Sequence, residues 1–321
     1  MILLSIVAGL AGAVLLGAWL CFRLAFYVPD RKPRDPDFID LPQGKVYEPF
    51  WDSMRRWTRM MRQMPHEQVS VTSFDGLTLT GNLYEYAPDA PIELMFHGYR
   101  GNAERDLSGG VQRCFQLGRS ALLVDQRCSG GSQGNVITFG VKEHRDCLVW
   151  VDYLLKRFPE RKVILTGISM GASTVLMAAG QPLPENVIGV LADCGFTSAP
   201  DILKDVMGKI GMPPVIFYPL VRLGARLFGG FDPEESRAVD AVKKATLPVI
   251  FFHGEDDDFV PCRMSRENYE ACASRKKLVT IPKAGHGLSF PVAQEAYLDA
   301  LADFFGAEAS HPDGRRKTPT F

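Results

Sequence analysis

A short apolar strand that breaks at a Gly-x-Ser-x-Gly turn and continues at once as a small-residue helix leaves a chain few ways to fold. Here Lys-Val-Ile-Leu-Thr-Gly-Ile-Ser-Met-Gly occupies residues 162 to 171, and the helical pattern runs from Ala172 to Gly180. So sharp a strand-to-helix turn has no room for side chains beside its central residue. Gly167 and Gly171 therefore flank Ser169, and its hydroxyl stands clear of the sheet. Ser169 is the first candidate for a nucleophile. Ordinary Gly/Ser-rich turns produce the same five-residue pattern, so the rest of the chain must supply its partners.

Two later segments do so in order. Leu247 to Phe252 reads as a buried strand and leads into His253-Gly254-Glu255-Asp256-Asp257-Asp258-Phe259-Val260-Pro261. Lys277 to Ile281 reads as another, followed by Ala284-Gly285-His286-Gly287. Three consecutive Asp also suit a solvated loop or a helix start, with Pro261 opening the next helix. Among the six histidines, His66, His144 and His311 sit in polar segments, and His97 and His253 precede a Gly at strand ends. His286 follows the acidic run in a Gly-lined loop.

On these residues the chain resembles the α/β-hydrolase superfamily over roughly Gln68 to Gly306, most closely the bacterial serine aminopeptidase-like and cinnamoyl-esterase-like branch. The family's His-Gly-x-x-Asp-x-x-Val-Pro pattern falls on His253, Gly254, Asp257, Val260 and Pro261. The resemblance thus selects Asp257 as the acid, with Asp256 and Asp258 one residue away. Phe96-His97-Gly98-Tyr99-Arg100-Gly101-Asn102 is similar to the family's oxyanion loop, which implies that the backbone N–H groups of Tyr99 and Met170 bind the oxyanion. Asp125 to Gly134 is similar to the Asp-x-Arg-x-x-Gly-x-Ser-x-Gly loop after the fourth strand. The implied chemistry is a Ser169-Asp257-His286 triad cleaving a carboxylic ester of a small molecule through an acyl-enzyme, with no metal and no cofactor. A peptidase or thioesterase using the same triad is the alternative, with Glu143 as one source of an amine-binding subsite. A catalytically idle binding protein is a further one. Asp193, at a strand end, is expected to order a loop.

The 321 residues are 46% hydrophobic with a formal net charge of −1, which suits one large core and gives no pull toward nucleic acid. Seven scattered cysteines form neither a paired framework nor a metal pattern, as expected for free thiols in a reducing compartment. Cys128 and Cys262 lie beside site loops and are expected to pack as small residues.

Met1 to Phe22 carries no charged side chain, and a helix of that length spans a bilayer core of ~30 Å. Residues 1–28 are read as a transmembrane anchor. A cleaved signal peptide would carry positive charge ahead of its apolar stretch, and a lipoprotein would place small residues where Trp19 and Leu20 precede Cys21. Positive charge lies on the far flank at Arg23, Arg31, Lys32 and Arg34, which predicts a single pass with the enzyme in the cytoplasm. Residues 29–45 read as a Pro-rich linker. Residues 46–67 hold an amphipathic helix with Phe50, Met54, Trp57 and Met61 on one face and Arg55, Arg56, Arg59 and Arg62 mostly off it. That helix docks on the domain, rests on anionic headgroups, or does both on opposite faces.

Strand signals at 69–73, 77–86, 92–96, 121–124, 163–166, 187–192, 249–252 and 278–281 alternate, after an initial hairpin, with helical patterns. This predicts an α/β fold, a mostly parallel, doubly wound sheet with its site at the strand carboxyl ends. The apolar stretch 196–235 is longer than one crossover needs and is expected to form a short helical cap that suits an acyl chain or aromatic acid. The domain is expected to span 68–306, with a disordered polar tail from 307 to 321. Removing Met1 to Phe22 is expected to leave it folded. Oligomeric state is not legible in the sequence.

Overall fold

The alternation predicted from the sequence is built as one sheet. The computed structural model describes residues 1–29, 35, 37–306 and 309–311. Its strands are β1 (Glu67–Thr72), β2 (Thr78–Tyr84), β3 (Ile92–Phe96), β4 (Ser120–Val124), β5 (Val163–Ile168), β6 (Val187–Asp193), β7 (Val249–Gly254) and β8 (Lys276–Ile281). They lie in the order β1-β2-β4-β3-β5-β6-β7-β8. The β1–β2 and β2–β4 pairs are antiparallel and the remainder parallel. Central strands such as β3 and β4 are buried at every residue, as a sheet covered by helices on both faces requires.

The helices that bear on the site are α1 (Ile2–Ala25), α2 (Trp51–Gln63), α3 (Ala103–Gln116), α4 (Glu143–Arg157), α5 (Met170–Ala179), α6 (Ala199–Lys209) and α7 (Pro214–Phe228). Among the described residues, α1 is the one helix long and apolar enough to cross a membrane, with a mean hydropathy of 2.3. Helices α6 and α7 form the expected cap, closed at its base by a bridge between Ser198 and Arg237.

Three segments expected to stand apart from the domain are tied to it. The end of α1 is the first. Ala18, Phe22, Phe26 and Val28 are buried, and Phe26 meets Phe139 and Phe231 edge-on at 5.7 and 5.1 Å. Val28 N donates to Asn135 O at 2.8 Å, and Ile137 N to Phe26 O at 2.9 Å. Cutting after Phe22 would therefore strip apolar cover from the cap, so the last turns of α1 belong to the folded domain.

The expected linker also packs. Residues 30–34 and 36 lie outside the described residues, but Leu41 is buried and Pro42 O accepts from Trp51 Nε1 at 3.0 Å. In the expected tail, Ala309 is buried and its carbonyl accepts from Arg119 Nε at 2.5 Å, because a buried guanidinium needs acceptors. Residues 307, 308 and 312–321 lie outside the described residues. The amphipathic helix docks on the domain through Met54, Trp57 and Met61, while Arg62 clamps Glu104 with bonds of 2.8 and 2.7 Å.

Within the core, Glu93 on β3 is wholly buried between two guanidinium groups. Arg119 Nη1 donates to its Oε1 at 2.7 Å, Arg113 Nη2 donates to its Oε2, and Thr166 Oγ1 donates at 3.0 Å. Burial works to raise the Glu93 pKa, but the two arginines outweigh it and hold it at about 2, below the ordinary 4.5. A depressed carboxylate stabilises the fold fully above its unfolded value and progressively less as pH falls toward the folded one. Thermal stability should therefore drop between pH 4.5 and about 2, a window set by these values. Melts of the Glu93→Gln protein should show a flatter slope there and a loss at neutral pH of roughly 3–5 kcal/mol from stranding two buried cations.

Candidate active site

The site is assembled where β3, β5, β6, β7 and β8 end. At the elbow, Ser169 adopts φ +56° and ψ −119°, a conformation rarely held by a residue with a side chain, and its N–H donates to Asp193 O at 2.8 Å. A Cβ on Gly167 would stand 2.1 Å from Gly171 O, and one on Gly171 would stand 2.1 Å from Phe96 O. Both glycines are needed because backbone lies where a side chain would be.

From Ser169 a line of hydrogen bonds crosses three strand ends. The Ser169 Oγ to His286 Nε2 distance is 2.8 Å, and His286 Nδ1 lies 2.7 Å from Asp257 Oδ2. Asp257 is buried, while Asp256 and Asp258 are exposed and outside this line. The other Asp257 oxygen accepts from Phe259 N at 2.9 Å and Val260 N at 2.8 Å. His253 braces the same carboxylate. Its Nε2 is 3.2 Å from Asp257 Oδ2 and donates to Val260 O at 2.8 Å, while Nδ1 meets Ser265 Oγ at 2.7 Å. Burial pushes the Asp257 pKa up, but hydrogen bonds from His253 and His286 hold it well below the carboxylate range. The acid is thus ionised and oriented.

The loop 96–102 lies over the same point. Gly98 packs against Ser169, where a Cβ would be 3.4 Å from the serine Cβ, and its N–H donates to Asp106 Oδ2 at 3.0 Å. Tyr99 therefore follows directly beside Ser169, and Met170 is the first residue of α5, whose opening N–H groups have no partner within the helix. His97 sits below: Gln126 N donates to its Nε2 at 3.0 Å, and its Nδ1 is 2.8 Å from Gly98 O. Burial lowers the His97 pKa, consistent with a neutral ring that accepts at Nε2. The loop 125–134 braces this arrangement, with Ser129 Oγ donating to Gly101 O at 2.6 Å and Arg127 pairing with Asp146 at 2.8 Å.

Other residues take structural places. The Asp193 carboxylate accepts from Ser289 Oγ at 2.7 Å and Tyr297 OH at 3.1 Å. Glu143 faces its own loop and accepts from Thr138 N and Gly140 N, both at 2.8 Å. All seven cysteines are free thiols. Cys194 was not singled out in the sequence, yet its sulfur lies within 4.8 Å of the Asp257 and His286 donor atoms. Burial holds its thiol well above the usual range, so it fills space as a neutral group.

Two chambers meet over Ser169, sharing Tyr99 and Phe259. One, of about 320 Å³, runs under α2 past Trp57, Arg105, Asp106 and His286. The other, of about 310 Å³, is lined almost wholly by apolar side chains of the cap and α1.

The sequence pattern of the Alpha/beta hydrolase family matches residues 94–304, from β3 to the last helix. The chain belongs to this family of hydrolases. It is 25% identical over 307 residues to the uncharacterized protein YqkD of Bacillus subtilis, covering 94% of this chain and 96% of that one. It is 26% identical over 190 residues to the uncharacterized membrane protein YNL320W of Saccharomyces cerevisiae, covering 59% and 61%. Among solved structures, the Pyrococcus furiosus esterase Pf2001 superposes with a TM-score of 0.64 at 22% identity, covering 78% of this chain and 95% of that one.

The crowding at the α/β-hydrolase elbow makes one contrast testable. Gly171→Ala should destabilise by roughly 1–3 kcal/mol or more, since backbone must move. Gly208→Ala meets nothing within 4 Å and should be neutral or stabilising by up to ~1 kcal/mol. Paired thermal melts check this.

Proposed function

We propose that this α/β-hydrolase is a membrane-anchored serine esterase acting on carboxylic esters of small molecules through Ser169, His286 and Asp257. The observation that carries the reading is the unbroken line from Ser169 Oγ through His286 to Asp257, at 2.8 and 2.7 Å, opening into an apolar chamber. His286 Nε2 takes the hydroxyl proton as Ser169 Oγ attacks the acyl carbon, and Asp257 stabilises the imidazolium through Nδ1. The carbonyl oxygen, now an anion, is held by the N–H groups of Tyr99 and Met170. Collapse of the tetrahedral intermediate expels the alcohol, which receives the proton from His286. Water then repeats the sequence on the acyl-Ser169 ester, releases the acid and restores the serine.

An ester is favoured over an amide by its better leaving group and by the surroundings. Glu143, the acidic residue considered for an amine subsite, is spent on Thr138 and Gly140. The second chamber offers carbon contacts that suit an acyl chain. Helix α1 serves as the anchor: its length and hydropathy suit a bilayer, and the basic flank from Arg23 onward favours a cytoplasmic enzyme.

Ser169→Ala should abolish labelling by a fluorophosphonate probe and reduce ester turnover by at least ~10⁴-fold. Label retained on the variant would put the nucleophile elsewhere. Asp257→Asn should lower kcat by about 10⁴-fold, because the imidazole loses its correct tautomer. Asp256→Asn and Asp258→Asn should change kcat little. A panel of esters, thioesters and aminoacyl amides, read as kcat/KM, ranks the substrate classes, and a preference for the amides would displace the esterase reading.

A further inference from the structure

The membrane-length helix contributes a wall of the site. The apolar chamber above Ser169 is bounded on one side by Cys21, Leu24 and Ala25 of α1, and on the other by Met207, Ile210 and Met212 of the cap. Leu24 and Ile210 line the chamber and are also 76% and 65% exposed, so they mark its mouth. The mouth therefore opens beside the last turns of a helix whose remaining surface is apolar and uncovered.

The cap descends with that helix. A Cβ on Gly17 would meet Leu220 at 3.4 Å, one on Gly224 would meet Ala18 O, and the Phe22 and Phe228 rings are 5.9 Å apart. Both numbers rise together, so α7 runs parallel to α1 and its first residues lie toward the buried end of a spanning helix. Val215 precedes Leu220 by five residues, which places it about 7.5 Å deeper along the axis at 1.5 Å per residue. Val215 and Ile216 are 88% and 63% exposed, and Pro214 to Val221 contains no charged side chain. The charges nearest that stretch, Lys204 over the Tyr218 ring at 4.4 Å and Glu234 accepting from Tyr218 OH at 2.8 Å, meet the buried side chain of α7, and others lie at the level of Phe22. Arg23 lies over the Tyr27 ring at 3.8 Å, and Arg222 pairs with Asp232 at 2.8 Å. Lys209, next to the mouth, turns its ammonium back to Asp258 O at 2.6 Å.

We propose that the start of α7 is embedded in the bilayer alongside α1, and that the chamber between them is a channel through which the acyl chain of a membrane-resident long-chain ester passes directly from the bilayer to Ser169. This rests on the serine-esterase reading above and names its substrate class. The chamber, of about 310 Å³ and lined almost wholly by apolar side chains, accepts the carbonyl-proximal part of an acyl chain. Longer chains extend past Leu24 into lipid. The free energy of holding the chain is then shared with the bilayer, and the ester never crosses water.

The test uses full-length protein in phosphatidylcholine vesicles that carry a fluorogenic long-chain acyl ester, with a soluble acetyl ester measured in parallel. Val215 and Ile216 lie outside both the channel lining and the catalytic line, and both are exposed, so V215E/I216E should fold as wild type by thermal melt. It should hydrolyse the acetyl ester unchanged and lose at least tenfold on the vesicle substrate. M207W, which fills the channel, should lower the long-chain to acetyl rate ratio by at least tenfold in detergent, where insertion plays no part. Equal vesicle activity for V215E/I216E, or an unchanged ratio for M207W, overturns the proposal. Absence of acetyl ester turnover and of fluorophosphonate labelling in the wild type would instead overturn the esterase reading on which it rests.

Discussion

The contact between Gly171 and the carbonyl of Phe96 is the constraint on which the rest of the site depends. With no Cβ in the way, α5 begins hard against the end of β3, and the serine at its cap is held at φ +56°. That approach fixes two things at once. It lifts Ser169 to the level reached by the β7 and β8 loops, and it sets Gly98 and Tyr99 of the β3 loop beside the serine. The acid and histidine loops meet in turn, since a Cβ on Gly254 would stand 2.2 Å from Ala284 O. Close backbone approaches at strand ends, rather than side-chain flexibility, bring groups from distant parts of the sequence to within hydrogen-bond reach.

The second dependence joins the membrane-length helix to the loop 96–102. The last carbonyls of α1 have no partners inside the helix. Tyr99 OH donates to Ala25 O at 2.7 Å, and Arg100 Nη2 donates to Leu24 O at 2.9 Å and Tyr27 O at 3.2 Å. A cation at a helix C-terminus is also favoured by the helix dipole. Arg100 reaches this place from a left-handed conformation, φ +53°. Tyr99, which lies beside Ser169, is therefore fastened by its side chain to the last turn of α1. Through these bonds the end of α1 and the loop beside Ser169 are joined, so α1 is part of the folded domain.

Much of this was legible in the sequence. The strand runs, the elbow and the order of Ser169, Asp257 and His286 are local signals, because side-chain alternation, glycine spacing and turn chemistry act within a few residues. The choice of Asp257 over its neighbours needed the family pattern, and the structure gives the reason in burial and in the two amides that hold it. Some contributors left no such signal. Asp106 and Glu93 matter through partners 8 and 73 residues away, in the bonds from Gly98 N to Asp106 and from Thr166 to Glu93, and Cys194 through its closeness to Asp257 and His286. Burial and pairing of that kind are not properties of a window of sequence.

What the sequence by itself determined is the α/β-hydrolase fold, the elbow serine with its ordered acid and histidine, and a first helix apolar enough to span a bilayer. Each follows from periodicity, from glycine where backbone needs space, or from hydrophobic length. Only the tertiary structure decided that the last turns of α1, the residues around Leu41 and Pro42, and Ala309 belong to the folded domain. These segments read as anchor, linker and tail because, taken alone, they are apolar, Pro-rich and polar in turn. They are held because the cap exposes apolar surface that Phe22 and Phe26 cover, Trp51 needs an acceptor, and a buried Arg119 needs a carbonyl. Those demands arise elsewhere in the fold and become visible only once it has closed.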